Sequence, residues 1–518
     1  MSVVEKLIVT NRSALKCKYG TALAKIDLAL GQLIAADAAR GLTTKCVALD
    51  DAAALARAGG KPVPSELDDA ACKRALDKLA AHYQPDYVVI LGAPDVVPHV
   101  RLTNPTDDED PSVPSDLPYA CDEPFSRDAR KFLSPRRVVG RLPDLAGAKG
   151  ATGLDPGYLV RQLRRAAKWK SRPRSAYESH FGLSTHKWRR STALSLANLY
   201  GSGSALLTSP PDGPTWKSSL LARRVHFINC HGGPRDWLFY GEGAGRQPSA
   251  HDSRHLDAKR AIADGTVIAA ECCYGAELYD PTPAEPRGIC SAYLDLGAHA
   301  FMGSTTIAYG PSSGNGYADL ICQYFLERVL RGASTGRALL EARQRYLQAA
   351  AELDDTDLKT IAQFHLLGDP SIHPVERAPH ALVDSAAFSA AFASQRAKRA
   401  QRLGRRMWLL RSASMLDAGM SWVAARGRFQ GGARVGATLR AAAEEEGLVR
   451  TRLYSHRLRD PIGRRLAREL GARDTTWVHA LVGGRLAEPP ADGTPDVVKI
   501  VALVRGREIV SLRKLEAR

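Results

Sequence analysis

Short apolar runs alternate with segments of helical spacing along the first 150 residues of the chain. The apolar runs predict strands of a few residues, and the amphipathic spacing between them predicts helices. In chain order the predicted elements are a strand at Lys6–Thr10, a helix at Gly20–Ala38, a strand at Lys45–Leu49, a helix at Asp68–His82 and a strand at Tyr87–Gly92. Such alternation is typical of a parallel sheet covered by helices. We therefore expect an N-terminal α/β subdomain over residues 1–150.

The same alternation continues from residue 151 to residue 376. Around two central strands, the predicted elements are a helix at Gly157–Lys170, a strand at Phe181–Ser184, a helix at Thr192–Tyr200, a strand at Gly297–Ser304 and a closing segment at Phe364–Ile372. The strand that begins at Gly297 should lie beside the second central strand and line a cleft. The expected fold class is therefore α/β, with two doubly wound subdomains of mostly parallel strands.

The two central strands end on reactive side chains. Val225–Gly233 reads V-H-F-I-N-C-H-G-G, and Val267–Gly275 reads V-I-A-A-E-C-C-Y-G. Because an open α/β sheet delivers residues to its ligand crevice at the carboxyl ends of its strands, we expect His231 and Cys273 to lie side by side. A neighbouring imidazole lowers the pKa of a thiol and stores the proton that a leaving amine needs, so this pairing indicates acyl transfer. The Gly-rich, polar stretch Pro234–His255 should form an exposed loop over the cleft.

The order strand-His-Gly and then strand-x-Cys-x-Gly resembles that of the caspase-like cysteine peptidases. Within that group, E-C-C-Y-G matches the form in which a small residue precedes the nucleophile and Gln or Glu lies two positions before it. Other segments resemble the gingipain-like branch, peptidase family C25, and the resemblance covers roughly residues 1–375. These segments are G-A-P-D-V-V-P-H, S-D-L-P-Y-A and V-V-G-R-L-P before the central strands, and L-D-L-G-A-H-A-F-M-G-S-T-T and F-H-L-L-G-D-P-S-I after them.

The resemblance implies a cysteine endopeptidase with caspase-like subdomains that works without a metal or another cofactor. Cys273 would attack the peptide carbonyl, and His231 would protonate the departing amine. The amide groups of Cys273 and Gly232 would form the oxyanion hole. Three other candidates are expected to point away from the site or to lie elsewhere, because side chains alternate along a strand. These are His226, Cys230 and Cys272.

The loop that follows the strand at Phe181–Ser184 should shape the pocket for the side chain before the scissile bond. Arg-specific gingipains line this pocket with an Asp, but the loop here reads T-H-K-W-R-R-S-T and contains no acid. It also lacks the Glu that some gingipains place near the catalytic His. Lys187, Arg189 and Arg190 could instead receive an acidic side chain, because guanidinium groups bind carboxylates well. Tyr309 would then form a pocket wall. The alternative is that the three cations form a solvated turn.

Length and cysteine content indicate the number of domains and the cellular compartment of the protein. A chain of 518 residues suggests two or three domains. The N-terminus does not resemble a secretory signal, and no stretch reaches the roughly 18 consecutive apolar residues that a membrane span requires. Nine cysteines without C-x-x-C spacing argue against a disulfide framework and against a zinc site. We therefore expect a cytoplasmic protein.

The C-terminal region, residues 377–518, is expected to be a separate basic module. Residues 378–518 hold 26 Lys and Arg against 13 Asp and Glu, which accounts for +13 of the net charge of +17. The clusters Arg396–Arg406 and Arg457–Arg468 could attract nucleic acid, anionic lipid or an acidic regulatory protein. The alternative is that these arginines only solvate helix faces.

The same region has the pattern of an accessory α+β module. Helical spacing occurs at Ala386–Arg411 and again near Ala441 and Gly463, and Val497–Ser511 is expected to form a strand pair. The sequence of this region resembles no family that we recognise.

These features together predict a cytoplasmic, caspase-like cysteine endopeptidase that cuts a selected intracellular protein. By analogy, such an enzyme could serve a bacterial defence or cell-death pathway, with the basic module recruiting its trigger or substrate. Two alternatives stay open. The chain could be a catalytically silent caspase-like scaffold, or a nucleic-acid-binding regulator that acts through its basic module.

Overall fold

The computed structural model describes residues 4–147, 155–243, 246–281, 285–312, 314–349 and 353–376, and five segments nearer the C-terminus: 432–445, 448–457, 477–484, 498–505 and 508–516. The chain divides into two compact units, Met1–Val383 and Asp384–Arg518. Within the described segments, no helix combines the length and the apolar character that crossing a membrane requires.

The described residues of the first unit form three sheets. Their strands in chain order are β1 (Lys6–Thr10), β2 (Thr44–Ala48), β3 (Tyr87–Leu91), β4 (Val100–Leu102), β5 (Val113–Ser115), β6 (Val138–Leu142), β7 (His180–Thr185), β8 (Leu206–Ser209), β9 (Val225–Asn229), β10 (His231–Gly232), β11 (Leu238–Tyr240), β12 (Ser249–Asp252), β13 (Thr266–Ala270), β14 (Ala298–Ser304) and β15 (Phe364–Gly368). Two of the sheets are small and antiparallel, β10-β11-β12 and β4-β5.

The main sheet has ten strands in the order β2-β1-β3-β6-β15-β14-β13-β9-β7-β8. All neighbouring strands run parallel except β14 and β15, which are antiparallel. The sheet therefore consists of two parallel halves that run in opposite directions. The expected α/β class with mostly parallel strands is confirmed. Strands from both sides of residue 150 share this sheet, and the subdomain boundary at that point stays a prediction.

Helices connect the strands of the first unit. They are α1 (Arg12–Tyr19), α2 (Leu23–Ala39), α3 (Ala52–Arg57), α4 (Asp69–Tyr83), α5 (Pro156–Lys168), α6 (Arg189–Tyr200), α7 (Ser218–Leu221), α8 (Ser253–Lys259), α9 (Ile289–Leu296), α10 (Tyr317–Leu330), α11 (Thr335–Ala349) and α12 (Asp355–Gln363). α5 packs against α2, and α10 packs against α6 and α11. Local chemistry fixes several helix starts; the Asp68 carboxylate, for example, accepts a hydrogen bond from the Ala71 amide and caps α4.

The second unit contains α13 (Gly432–Glu445) and an antiparallel sheet of four strands. The strands, in sheet order, are β16 (Val449–Arg457), β17 (Trp477–Gly484), β18 (Val498–Arg505) and β19 (Glu508–Glu516). The predicted C-terminal strand pair is confirmed by the pairing of β18 with β19, and the helix expected near Ala441 is α13. The helices expected at Ala386–Arg411 and near Gly463 lie outside the described residues.

A buried lysine at the start of the main sheet binds two buried carboxylates. The Lys6 ammonium lies 2.9 Å from Asp37 Oδ2, on α2, and also bonds the carboxylate of Asp369, which follows β15. The other oxygens of these acids are bonded too, since Arg40 donates to Asp37 Oδ1 and Ser371 donates to Asp369 Oδ1. Because a buried charge is tolerated only when it is paired and hydrogen-bonded, this cluster fixes β1, α2 and the end of β15 in one arrangement.

Replacing Lys6 with Ala should destabilise the fold strongly, because two buried carboxylates would lose their cation. We expect the free energy of unfolding to fall by about 3–5 kcal/mol. Arg12→Ala is the control, since Arg12 pairs with Asp27 where the two side chains are 48% and 38% exposed. Such a surface pair contributes about 1 kcal/mol or less. Urea unfolding of both variants measures the difference, and equal small losses would contradict the prediction.

Candidate active site

β9 and β13 are neighbouring parallel strands that end at the same edge of the main sheet. Their register pairs Val225 with Val267 and Ile228 with Ala270. His231 follows β9 by two residues, and Cys273 lies in the turn that follows β13. β14 pairs in parallel with β13, on the side away from β9. This confirms the strand predicted at Gly297–Ser304 and its expected position beside the second central strand. The strand register therefore brings the two reactive segments to one edge.

Gly232 is the point at which the two segments touch. A side-chain carbon built on Gly232 would overlap the carbonyl oxygen of Cys273. Glycine is needed here because any Cβ would force the two backbones apart. The contact places the peptide that follows His231 directly against the backbone of Cys273. Within the described part of the chain, no hydrogen bond or ion pair joins the His231 and Cys273 side chains to each other.

The Cys273 thiol is partly buried and contacts the loop that follows β14. Its Sγ accepts a hydrogen bond from the Ala308 amide at 3.3 Å and lies 3.6 Å from the Ala308 carbonyl oxygen. Burial raises the pKa of this thiol above its usual value; the Ala308 amide opposes that effect, Asp110 adds to it and Lys359 opposes it. The resting side chain is therefore a protonated thiol at neutral pH.

The turn that carries Cys273 has an uncommon backbone conformation. Tyr274 has a φ of 54°, in the left-handed region that residues other than glycine rarely adopt. The amides of Tyr274 and Gly275 donate to the carbonyl oxygens of Thr306 and Cys272. The Cys273 amide donates to no backbone carbonyl oxygen among the described residues, and its own thiol is the acceptor near it. An amide without a carbonyl acceptor at such a turn is the kind of donor that stabilises an oxyanion.

His231 is held by an acid that the sequence interpretation missed. Its Nε2 lies 2.7 Å from Glu242 Oε2, and its ring packs on Trp188 with a centroid separation of 4.5 Å. The expectation that no Glu lies near this histidine is therefore wrong, because the acid comes from the segment after β11 instead of the loop after β7. The only trace of this contact in the sequence is the presence of Glu242 in the segment F-Y-G-E-G. That acid lies within a stretch expected to be an open loop, part of which forms β11 and β12.

The cations predicted to line the substrate pocket lie at the start of α6. Lys187 Nζ is 3.6 Å from Glu242 Oε1, so Lys187 shares this acid with His231. Arg189 donates to a carbonyl oxygen of its own turn, and Arg190 is exposed. The structure therefore brings Lys187 to the histidine, and the role of the three cations in substrate binding stays a prediction.

Tyr309 directly follows Ala308, the residue whose amide bonds the Cys273 thiol. Its hydroxyl donates to the carboxylate of Asp108. The Lys359 ammonium lies over the same ring, 5.7 Å from its centroid. The phenol thus contacts two charged neighbours, Asp108 and Lys359, and its role as a pocket wall stays a prediction.

Two buried acids lie close to the turn that carries Cys273. Glu271 is two residues before Cys273, and Asp319 is in the first turn of α10. Burial and the nearness of Asp319 raise the pKa of Glu271 well above its usual value, and burial raises the pKa of Asp319 to about 7. Glu271 Oε1 and Asp319 Oδ1 have no hydrogen-bond partner among the described residues. The pair therefore retains a proton at neutral pH.

The other candidate side chains of these strands occupy the core. His226 is fully buried, and its ring nitrogens bond Tyr293 Oη at 2.8 Å and the Arg223 carbonyl oxygen at 2.9 Å. Cys230 and Cys272 are buried as well, and burial raises the pKa of both thiols. These environments suit structural residues.

One side-chain cluster in the described residues has the composition of a metal site. His99, Asp116 and His365 are buried, and one ligand atom from each lies within 4.8 Å of the others. Arg141 already donates to both oxygens of Asp116, at 2.9 and 2.6 Å. The guanidinium group supplies the positive charge that a metal ion would bring. The cluster therefore fits a buried ion pair better than a metal site.

Comparison with known proteins finds a family match for one segment of this chain. Residues 224–375 match the family model of peptidase family C25. The matched segment contains β9 and β13, with His231 and Cys273 at their ends. The resemblance to the gingipain-like cysteine peptidases is therefore confirmed over this segment.

Two solved structures are similar to the chain at low sequence identity. One, described as "Structure of Protease", is 14% identical with a TM-score of 0.45, over 73% of this chain and 80% of that chain. The other, the complex of Porphyromonas gingivalis RgpB pro- and mature domains, is 10% identical with a TM-score of 0.48, over 99% of both chains. Among curated protein sequences, none matches this chain.

The raised pKa of Cys273 predicts slow alkylation at neutral pH. Because the thiolate is the reactive form, the rate of reaction with iodoacetamide should still be rising above pH about 8.5, the usual thiol pKa. Timed labelling followed by peptide mass spectrometry measures this rate, with the exposed Cys17 as an internal control for reagent quality. A rate that is already constant near pH 6 would contradict the prediction, since His231 would then hold the thiol proton at rest.

Proposed function

We propose that the chain is an endopeptidase in which Cys273 is the nucleophile and His231 is the general acid and base. The observation that carries this proposal is the contact of Gly232 with the Cys273 backbone, at the ends of two paired strands within the C25 segment. Glu242 completes the arrangement. Its bond to Nε2 keeps the proton on that nitrogen and leaves Nδ1 to exchange a proton with the thiol.

The proposed reaction is acyl transfer in two stages. The Cys273 proton passes to His231 as the sulfur attacks the scissile carbonyl carbon, and the amides of Cys273 and Gly232 stabilise the oxyanion. When this adduct collapses, the C–N bond breaks and His231 gives the proton to the leaving amine. Water then attacks the thioester and gives a proton to His231. The acid product leaves, and the sulfur takes that proton back.

The proposal extends to the setting in which the enzyme works. We place it in the cytoplasm, where it would cut a selected intracellular protein within a regulated bacterial defence or cell-death pathway. All nine cysteines are described and free, which supports a reducing compartment because disulfides persist mainly in oxidising ones. The net charge of +13 in residues 378–518 supports recruitment of an acidic regulatory protein or a nucleic acid by that region.

Two other functions would behave differently. A catalytically silent caspase-like scaffold would keep its biological effect after replacement of Cys273. A nucleic-acid-binding regulator would depend on its basic C-terminal region and would lose binding steeply with added salt. The bonded His231 and the close approach of Gly232 to Cys273 favour the peptidase over both.

Two sets of charged residues compete for the role of substrate pocket. The first set contains the cations beside the histidine: Lys187, Arg189 and Arg190. The second set contains the buried acids beside the nucleophile turn: Glu271 and Asp319. We propose that the cations receive an acidic side chain and that Tyr309 forms a wall of the pocket. The acids retain a proton and are therefore the weaker partner for a charged side chain at neutral pH.

Acyloxymethyl ketone peptides should label the purified chain at Cys273, and Cys273→Ala and His231→Ala should abolish the labelling. Glu242→Gln should slow it about 10- to 100-fold, because the imidazolium loses the charge that stabilises it. Glu341→Gln is the matched control, since Glu341 pairs with Arg328 on a helix away from the candidate active site. Labelling that persists in Cys273→Ala would overturn the assignment, and a complete lack of labelling would favour the scaffold.

A peptide library should show cleavage after Asp or Glu, because the cations at the start of α6 attract a carboxylate. Lys187→Ala should weaken this preference about tenfold, the effect of losing one charged hydrogen bond. The competing pocket is tested by Asp319→Asn. Cleavage after Arg or Lys that disappears in Asp319→Asn would contradict our assignment and give the pocket to the buried acids.

A further inference from the structure

An acidic loop from the N-terminal region reaches the turn that carries Cys273. Asp110, in the loop between β4 and β5, is buried and accepts hydrogen bonds from three groups. Its Oδ1 accepts the hydroxyl of Tyr274 at 2.6 Å. Its Oδ2 accepts the amide of Ile307 at 2.9 Å and the ammonium of Lys359 at 2.5 Å. One carboxylate thus binds the residue after the nucleophile and the loop after β14.

The bond to Ile307 also bears on the sulfur. The next residue, Ala308, donates its amide to Cys273 Sγ at 3.3 Å. Asp110 therefore holds the two segments that flank the thiol, the turn on one side and the loop that bonds the sulfur on the other. A shift of this carboxylate would move both segments.

Lys359 fixes the orientation of Asp110. This lysine lies on α12 and is fully buried, and its ammonium bonds Asp108 as well as Asp110. Asp108 in turn accepts the hydroxyl of Tyr309. Because a buried cation between two carboxylates is tolerated only when all its partners are in place, the cluster accepts one arrangement of the loop and the helix.

Tyr274 is the residue that needs this support. Its φ of 54° is disfavoured for a side chain with a Cβ, so the turn would relax if nothing held it. The hydroxyl bond ties the far end of the side chain to Asp110, which is itself fixed. In this conformation Cys273 Sγ bonds the Ala308 amide, and the Cys273 amide donates to no backbone carbonyl oxygen among the described residues.

We propose that Asp110 is a positioning residue for the nucleophile turn, acting through the Tyr274 hydroxyl and held in place by Lys359. The inference rests on the proposed function of Cys273 as the nucleophile. It makes the loop between β4 and β5, which belongs to the N-terminal region, an integral part of the active site.

Tyr274→Phe in the full-length chain tests this role, because it removes only the hydroxyl. The measurements are kcat and KM for a peptide substrate, and hydrogen exchange of the amides of residues 272–276. We expect kcat to fall about tenfold with KM unchanged, as for the loss of one hydrogen bond to a charged group, and exchange in this segment to become faster. Tyr19→Phe is the matched control, since Tyr19 Oη donates to Asp144 at the same 2.6 Å elsewhere in the unit. In Tyr19→Phe, kcat, KM and the exchange of the amides of residues 272–276 should all stay unchanged.

Asp110→Ala should give a larger loss than Tyr274→Phe, because it removes all the bonds that Asp110 accepts. If that variant fails to fold, Tyr274→Phe alone decides. Unchanged kcat and unchanged exchange in Tyr274→Phe would overturn the positioning role and leave Cys273 as the nucleophile. If the wild-type chain shows neither turnover nor labelling of Cys273, the proposed function fails instead. The exchange measurement then decides the inference alone, with faster exchange supporting it and unchanged exchange overturning it.

Discussion

The antiparallel pairing of β14 with β15 is the constraint on which the geometry of the active site depends. It pairs Ser304 with Phe364, and β15 then continues the sheet parallel to β6. Because this one reversal joins two parallel half-sheets, the carboxyl ends of β9, β13 and β14 lie at the same edge as the amino end of β15. α12 ends directly before β15 and is thereby brought to the nucleophile turn, together with Lys359. A sheet of uniform direction would carry this helix to the opposite edge.

Two buried lysines secure the segments that this topology brings together. Lys6 joins β1 to α2 and to the end of β15, and Lys359 joins α12 to the loop between β4 and β5. In each cluster, one ammonium meets two carboxylates: Lys6 binds Asp37 and Asp369. Lys359 binds Asp108 and Asp110, which lie in one loop far from it in the sequence. Such clusters add little net stability compared with apolar packing, since desolvation offsets most of the attraction. Their effect is to limit the joined segments to one arrangement, because any other arrangement would leave a buried charge unpaired.

Local pattern accounts for the parts of the fold and the site that the sequence predicted. β9 and β13 lie within the expected apolar runs, because strands buried on both faces read as continuous hydrophobic segments. The role of the glycine after His231 could also be predicted, because only glycine allows the two backbones to approach this closely. The position of Glu242 beside His231 could not be predicted, since the neighbouring strands β11 and β12 are too short to show alternation. Asp110 and Tyr274 are 164 residues apart in the chain, and local periodicity does not encode a contact over that separation.

Glu242 connects the proposed base to the proposed substrate pocket. It lies 2.7 Å from His231 Nε2 and 3.6 Å from Lys187 Nζ, so two partners share its charge. Burial raises the pKa of Cys273, which in the proposed reaction favours passing the proton to His231 during the attack instead of before it. A carboxylate favours that transfer because it stabilises the imidazolium that forms. An acidic substrate side chain bonded to Lys187 would leave more of the Glu242 charge to His231.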